Sequence, residues 1–386
     1  MLVEPGNPFP SSVELVLKAH APLIDTRRAS VIALEAAVSA MAPATRAAIT
    51  ADLKCFLAWC AQQRPAVQAV PASPETLVHY LRWLSAGSQV RAPAKPATLA
   101  RRIASIARIH RVLGFGESEP LPTQAGMVRD TLKGIRRQRP EKQRQAAPLR
   151  FGQSMADGQA APDGVTVQAL LATCGRGIQD LRDAALISLA YDAGLRVSEL
   201  VACQVADLTR VGDGSGRLHI ARSKTDQTGE GTLAWISPDT MARLLAWQAA
   251  AGILEGPVFR RIHVLTGRPD AAGQQTVRNY VGDRPLTRQG VVAILRRRAI
   301  AAIELGHVQL EPGRKEDVIR SLSAHSFRVG LTQDLFAAGE DGAGIALALR
   351  WSSPGTALHY ARELAVGSNA VARVLGKMRA ADLEPG

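Results

Sequence analysis

The sequence predicts a mainly α-helical protein with a small β-sheet, an α+β fold in two domains. Three observations lead there. The chain has 386 residues and 46% hydrophobic content, more than one typical domain and enough to bury two cores. Apolar residues recur at helical spacing through most of its length. Only between about 206 and 236 does the pattern turn to short β-type runs around a polar turn.

Residues 1–12 are proline-rich and expected to be loose, with no basic start and apolar stretch of a secretory signal. From Ser12 to Arg144 the pattern is helical, with no visible strand. Thr45–Gln63 sets Ile49, Leu53, Phe56 and Leu57 at helical spacing. Pro74 follows the capping residue Ser73 and begins a helix with Leu77, Tyr80, Leu81 and Leu84 on one face. A helix from Thr98 turns Leu99, Ile103, Ile106 and Ile109 inward and leaves Arg101, Arg102, Arg108 and Arg111 to face out. Pro120 and Pro122 break the chain before a last helix, Gln124–Arg137.

Residues 145–165 are rich in Ala, Gly, Pro and Gln without periodicity and read as a linker or extended connection. A second domain then fills 166–386. The run Ala184–Tyr191 is apolar nearly all round, as in a buried helix that Gly194 ends. Another helix starts at Ser198. Strands are expected at Ala206–Arg210, Arg217–Arg222 and Thr232–Ile236, the last two flanking the turn SKTDQTGEG. The rest is read as helical: Asp239–Ala250, Thr287–Leu305, His325–Ala338, Ile345–Leu349, Pro354–Arg362 and Gly367–Met378.

Charge narrows the function. The net charge is +13, and residues 91–150 hold 14 basic and four acidic residues, a surplus of ten. Such a concentration suits a polyanion, because Lys and Arg displace counterions from a nucleic-acid backbone. No stretch of about 18 apolar residues is present to span a membrane. Cys55, Cys60, Cys174 and Cys203 form no CxxC pair and read as reduced thiols, with no metal site expected.

Phosphoryl transfer without a metal needs preorganised cations, an in-line nucleophile and an acid for the leaving oxygen. The second domain offers these parts in order. Arg196 lies in GLRVSEL with Glu199 three residues on; Lys224 sits in the turn between two strands; His325 and Arg328 share a helical face in HSFR; Trp351 and Tyr360 lie in RWSSPGTALHY. Taken singly, each has an ordinary structural explanation: a helix-start ion pair, a surface lysine, a short motif with a high chance rate, a packed aromatic.

As an ordered set they resemble the tyrosine recombinase (phage integrase) family, over about Asp180 to Met378, with the basic helical domain in the place of the family's core-binding domain. GPVFRR, SAHSFRVG and RWSSPGTALHYAR look like segments of the Cre-like members, in which tryptophan stands where most relatives have histidine. One residue departs: Arg350, where a glycine is usual.

The resemblance implies a site-specific DNA recombinase whose two domains form a clamp on DNA. Tyr360 would attack the scissile phosphate to give a 3′-phosphotyrosyl link. Arg196 and Arg328 would hold the non-bridging oxygens, His325 would take part in moving the tyrosine proton, and Lys224 would protonate the leaving 5′-oxygen. Trp351 would donate its indole N–H, and Glu199 would position its neighbours. No cofactor is implied. The partners are double-stranded DNA with inverted-repeat sites and three further copies of the chain: a monomer free in solution, a homotetramer on DNA with the amphipathic segment Asn369–Met378 docked in a neighbour. Arg101, Arg102, Arg108 and Arg111, with Arg260, Arg261 and Arg296–Arg298, are the expected DNA contacts. The location expected is cytoplasmic, on the nucleoid. A type IB topoisomerase-like enzyme shares this chemistry, and a catalytically dead DNA-binding regulator is the alternative of another class.

Overall fold

Proline punctuates the first part of the chain. In the computed structural model, which describes residues 12–140, 145–152, 164–221, 231–267 and 277–360, six helices precede residue 140: α1 (Ser12–Ala19), α2 (Val31–Ser39), α3 (Pro43–Gln62), α4 (Pro74–Ala86), α5 (Pro96–Val112) and α6 (Gly126–Gln138). Helices α3, α4 and α5 each begin on a proline, whose missing N–H costs nothing there. Ser73 caps α4 by accepting the Thr76 N–H at 3.1 Å. The inward faces meet in one core, with Phe56, Trp59 and Tyr80 in mutual ring contact at 4.9–6.4 Å. Among the described residues this unit, residues 1–144, contains no strand.

The second unit runs from 145 to 386 and has its own core. It opens with α7 (Val167–Ala172), α8 (Ile178–Asp192) and α9 (Val197–Ala202), then β1 (Leu208–Arg210), β2 (Gly216–Ile220) and β3 (Thr232–Ile236). The three strands form an antiparallel meander, and alternation decides its faces: Leu218, Ile220, Ala234 and Ile236 point into the core. The turn carrying Lys224 lies outside the described residues. Then come α10 (Pro238–Ala251), β4 (Arg260–Thr266), β5 (Val277–Pro285), α11 (Arg288–Glu304), α12 (Lys315–Ser321), α13 (Ser326–Ala337), α14 (Gly342–Ala348) and α15 (Pro354–Tyr360). As expected, α8 is buried all round, from Arg182 to Tyr191, and it packs against α10 and α13.

Three features differ from the sequence expectation or were absent from it. The β4–β5 hairpin was not foreseen, because both strands are largely exposed and only Ile262 and Val281 lean on the core, so no alternating pattern marks them. Residues 145–152 are anchored in the second unit: Leu149 is fully buried and donates its N–H to the Ser326 carbonyl at 3.0 Å, and Arg150 is buried against Asp334 at 2.6 Å. Arg298, expected on DNA, is buried and joins Arg182 and Arg297 around the fully buried carboxylate of Asp183. The segment Asn369–Met378 lies outside the described residues.

Candidate active site

The site is built where α8 turns into α9. Gly194 makes the turn with φ +51°, a backbone form that favours glycine, and a Cβ there would press on the end of the Leu349 side chain. The turn leaves Arg196 at the start of α9. Glu199, three residues on, accepts the Arg196 backbone N–H at 2.9 Å and its Nη1 at 2.7 Å. Both bonds run from Arg196 to the one carboxylate, which satisfies a free N–H of the first turn and fixes the arginine's stem.

Arg328, in the first turn of α13, is 1% exposed. Its Nη1 donates to the Gly194 carbonyl at 2.9 Å and its Nη2 to the Leu349 carbonyl. One guanidinium thereby ties the α8–α9 turn to the end of α14. Its Nε has no partner among the described residues. Burial, then Arg196 and Arg350, push its pKa below the usual arginine range. An anion brought into this cluster would relieve that cost.

His325 stands at the start of α13, its N–H donated to the Ser323 hydroxyl at 3.3 Å. Its Nε2 lies 2.9 Å from the hydroxyl oxygen of Tyr360. Burial, then Arg328 and Arg196, lower its pKa, so near neutral pH the ring is the neutral form. Tyr360 ends α15 and stacks on Trp351, with ring centroids 5.3 Å apart and planes inclined by 22°. The guanidinium carbon of Arg328 sits 5.1 Å from the Trp351 ring centroid. Arg328, Trp351, Tyr360 and His325 thus form one run of contacts, and the Arg196–Glu199 pair stands beside it, close enough for the Arg196 charge to act on both His325 and Arg328. Lys224 is outside the described residues.

Arg350 completes the cluster, and no sequence pattern pointed to a role for it. It is the only non-glycine residue with positive φ among the described residues, at 57°, the backbone form that suits the glycine expected there. Its side chain is 5% exposed and reaches the Ala193 carbonyl at 2.9 Å and Glu199 at 3.7 Å.

The arginines expected on DNA separate into two kinds. Arg108, Arg111 and Arg261 are exposed. Arg101 is half exposed but paired at 2.5 Å with the buried Asp52. Arg102 does not face out as expected: its Nη1 donates to Cys55 Sγ at 2.7 Å and to the Tyr80 hydroxyl at 3.1 Å. Asp52 and Tyr80, buried on α3 and α4, supply acceptors that draw it inward. Arg260 is folded back, with Nε on the Pro257 carbonyl at 3.0 Å, Nη2 on the Glu255 carbonyl and Nη1 on Asp283 at 3.3 Å. Among the described residues no cluster of His, Cys, Asp and Glu could hold a metal ion, and no helix is long and apolar enough to cross a membrane.

A buried arginine cluster around a tyrosine–histidine pair, on a helical fold with a three-stranded meander, marks a class, and the sequence profile of the phage integrase family matches residues 163–365. The chain belongs to that family and is a tyrosine-type site-specific recombinase. It is 33% identical over 251 residues to an integrase/recombinase xerD homolog of Selenomonas ruminantium, covering 62% of this chain and 67% of that protein. It is 26% identical over 327 residues to the recombinase cre of Escherichia phage P1, covering 83% and 84% of the two chains. Its fold is similar to that of the Tn1549 transposon integrase solved in complex with transposon right end DNA, with a TM-score of 0.50 at 13% identity over 91% of this chain and 94% of that one.

Proposed function

We propose that this recombinase breaks and rejoins DNA strands at paired target sites through a 3′-phosphotyrosyl link at Tyr360. The observation that carries the reading is the 2.9 Å approach of His325 Nε2 to the Tyr360 hydroxyl beside a cluster of guanidinium groups. The Tyr360 oxygen attacks the scissile phosphorus, the bond to the 5′-oxygen breaks, and the tyrosine proton passes to His325. Lys224 gives the 5′-oxygen its proton. Arg196 and Arg328 meet the charge on the non-bridging oxygens, where buried, preorganised donors act most strongly. Trp351 adds its indole N–H, and Glu199 holds Arg196. The phosphodiester is exchanged for a phosphotyrosine of similar energy, so the reverse attack by another strand's 5′-hydroxyl reseals the DNA without ATP.

The DNA is double-stranded with inverted-repeat arms, bound by the basic first domain, residues 1–144, and the second domain, 166–386, together. The chain is a monomer in solution and four copies assemble on two sites, joined through the segment Asn369–Met378. It acts in the cytoplasm on the nucleoid.

Selection of bound duplexes from a random pool, followed by incubation with nicked versions of the recovered sequence, tests this. Wild-type protein becomes covalently joined to DNA, and Tyr360→Phe binds the same duplex without joining it. A covalent product from Tyr360→Phe overturns the assignment.

A further inference from the structure

We infer that Arg350 is a positioning residue of the active site: it neutralises Glu199 so that Arg196 can turn its charge toward the phosphate. The inference rests on the reading of this site given above. Glu199 is 3% exposed in its side chain, a buried carboxylate bound to the arginine assigned above to the phosphate. Left alone it would repel that anion across a medium poor in water. The carboxylate is divided between two guanidiniums. Arg196 Nη1 holds Oε1 at 2.7 Å, and Arg350 Nη2 stands 3.7 Å from Oε2.

The two arginines are not equivalent. The Arg196 side chain is 22% exposed and can reach outward; that of Arg350 is 5% exposed and held from several sides. Its Nη2 donates to the Ala193 carbonyl at 2.9 Å and lies 3.4 Å from the Gly194 carbonyl, the same oxygen that accepts Arg328 Nη1 at 2.9 Å. Arg350 therefore stays when Arg196 transfers an N–H to phosphate, and Glu199 keeps a counter-charge. The backbone shows how firmly it is held, since φ of 57° is a conformation that a residue with a Cβ adopts only against a steric cost. Two guanidiniums, Arg196 and Arg350, meet the one carboxylate, and the charges of Arg328 and Glu199 also act on each other.

The test is single-turnover covalent joining to the nicked duplex at saturating protein. Arg350→Met is expected to slow joining by roughly tenfold or more, while Arg350→Lys, which keeps the charge, recovers part of the rate. Arg350→Gly removes the backbone cost along with the guanidinium and is expected to be slow as well. In the Arg350→Met background, Glu199→Gln removes the charge that Arg350 would have balanced and speeds joining, whereas in the wild-type background it slows it. Saturating protein makes the rate independent of any change in duplex affinity, so the readout is the chemical step. Equal rates for Arg350→Met and wild type, or an equal slowing by Glu199→Gln in both backgrounds, overturns the inference while the tyrosine assignment stands. Absence of any wild-type covalent product overturns the site reading instead. Thermal unfolding of the chain gives a readout independent of catalysis: because Arg196 still holds Glu199 at 2.7 Å, Glu199→Gln lowers the midpoint in both backgrounds, but by less when Arg350 is Met than when Arg350 is present. An equal fall in both refutes the pairing.

Discussion

The imidazole Nε2 of His325 lies 2.9 Å from the hydroxyl oxygen of Tyr360, and two cations, Arg328 and Arg196, act on that imidazole. A histidine that accepts the tyrosine proton has to be neutral beforehand. Burial, Arg328 and Arg196 all favour the neutral ring, so the acid side of the pH–rate profile for covalent joining is expected below the ordinary histidine value of about 6.5. Arg196→Gln lowers the rate and also shifts that limb to higher pH, because one of the opposing charges is gone. Rates measured from pH 5 to 8 decide this; a limb above the ordinary histidine value, or one unmoved in the variant, contradicts the geometry.

A Cβ on Gly330 would overlap the carbonyl of Leu149, so the strap at residues 145–152 lies directly on the helix that carries His325 and Arg328. The strap is bolted by a buried pair: Arg150 is 1% exposed, and Asp334, which it meets at 2.6 Å, also accepts the Phe151 N–H at 2.8 Å and the Tyr191 hydroxyl. Gly330→Ala is expected to cost roughly 1–3 kcal/mol by forcing the strap away. Arg150→Met leaves a buried carboxylate with one cation fewer and is expected to cost roughly 3–5 kcal/mol. Urea denaturation of the full chain reads both, and wild-type midpoints would show the strap to be loosely held.

How far the sequence reached depends on what each residue signals. Helices with one apolar face and a cap or proline at the start were legible to within a few residues, as for α3, α4 and α5. The meander was legible because one of its faces is buried; β4 and β5 were not, being largely exposed, with only Ile262 and Val281 against the core. The order of Arg196, His325–Arg328, Trp351 and Tyr360 was legible, and their meeting is three-dimensional, through carbonyls of residues 193, 194 and 349 that no side-chain pattern encodes. The role of an arginine was the least legible. Arg150, Arg298 and Arg328 are buried beside carboxylates or carbonyls supplied from distant segments, while Arg108 and Arg111 of the same basic chain remain outside.

That division predicts different outcomes along one helix. Arg108 and Arg111 are exposed on α5, so Arg108→Gln and Arg111→Gln are expected to weaken duplex binding and to lower the salt dependence of log K by about one for each phosphate no longer neutralised. Arg102→Gln instead removes the donor shared by Cys55 and Tyr80 and a cation 3.7 Å from the buried Asp52. It is expected to destabilise the first unit by roughly 1–3 kcal/mol with an unchanged salt slope. Titrations between 50 and 300 mM salt, with unfolding curves for each variant, separate the two cases. A salt slope reduced by a full unit in Arg102→Gln would place that residue on the DNA.

His110 supplies a pH dependence far from the site. It is fully buried in the first unit, where its Nδ1 donates to the Ile106 carbonyl at 2.8 Å and its Nε2 accepts the Ala72 N–H at 3.0 Å. A carbonyl can only accept and an amide N–H can only donate, so the partners fix one neutral tautomer. Burial lowers its pKa, with the Ile106 hydrogen bond opposing. The sign follows from which state takes the proton first. As pH falls below about 6.5 the unfolded chain protonates this histidine while the folded chain holds it neutral, so stability declines from there down to the folded pKa and is level above. Within that window the decline attributable to His110 is about 1.4 kcal/mol per pH unit. His110→Leu costs roughly 1–3 kcal/mol at pH 7, because the Ala72 N–H loses its acceptor, yet removes this slope. The stability difference between wild type and His110→Leu, from urea curves of the full chain at pH 7.5, 6.5 and 5.5, is therefore expected to shrink toward acid; a constant difference would mean that His110 titrates in the fold as it does in the unfolded chain.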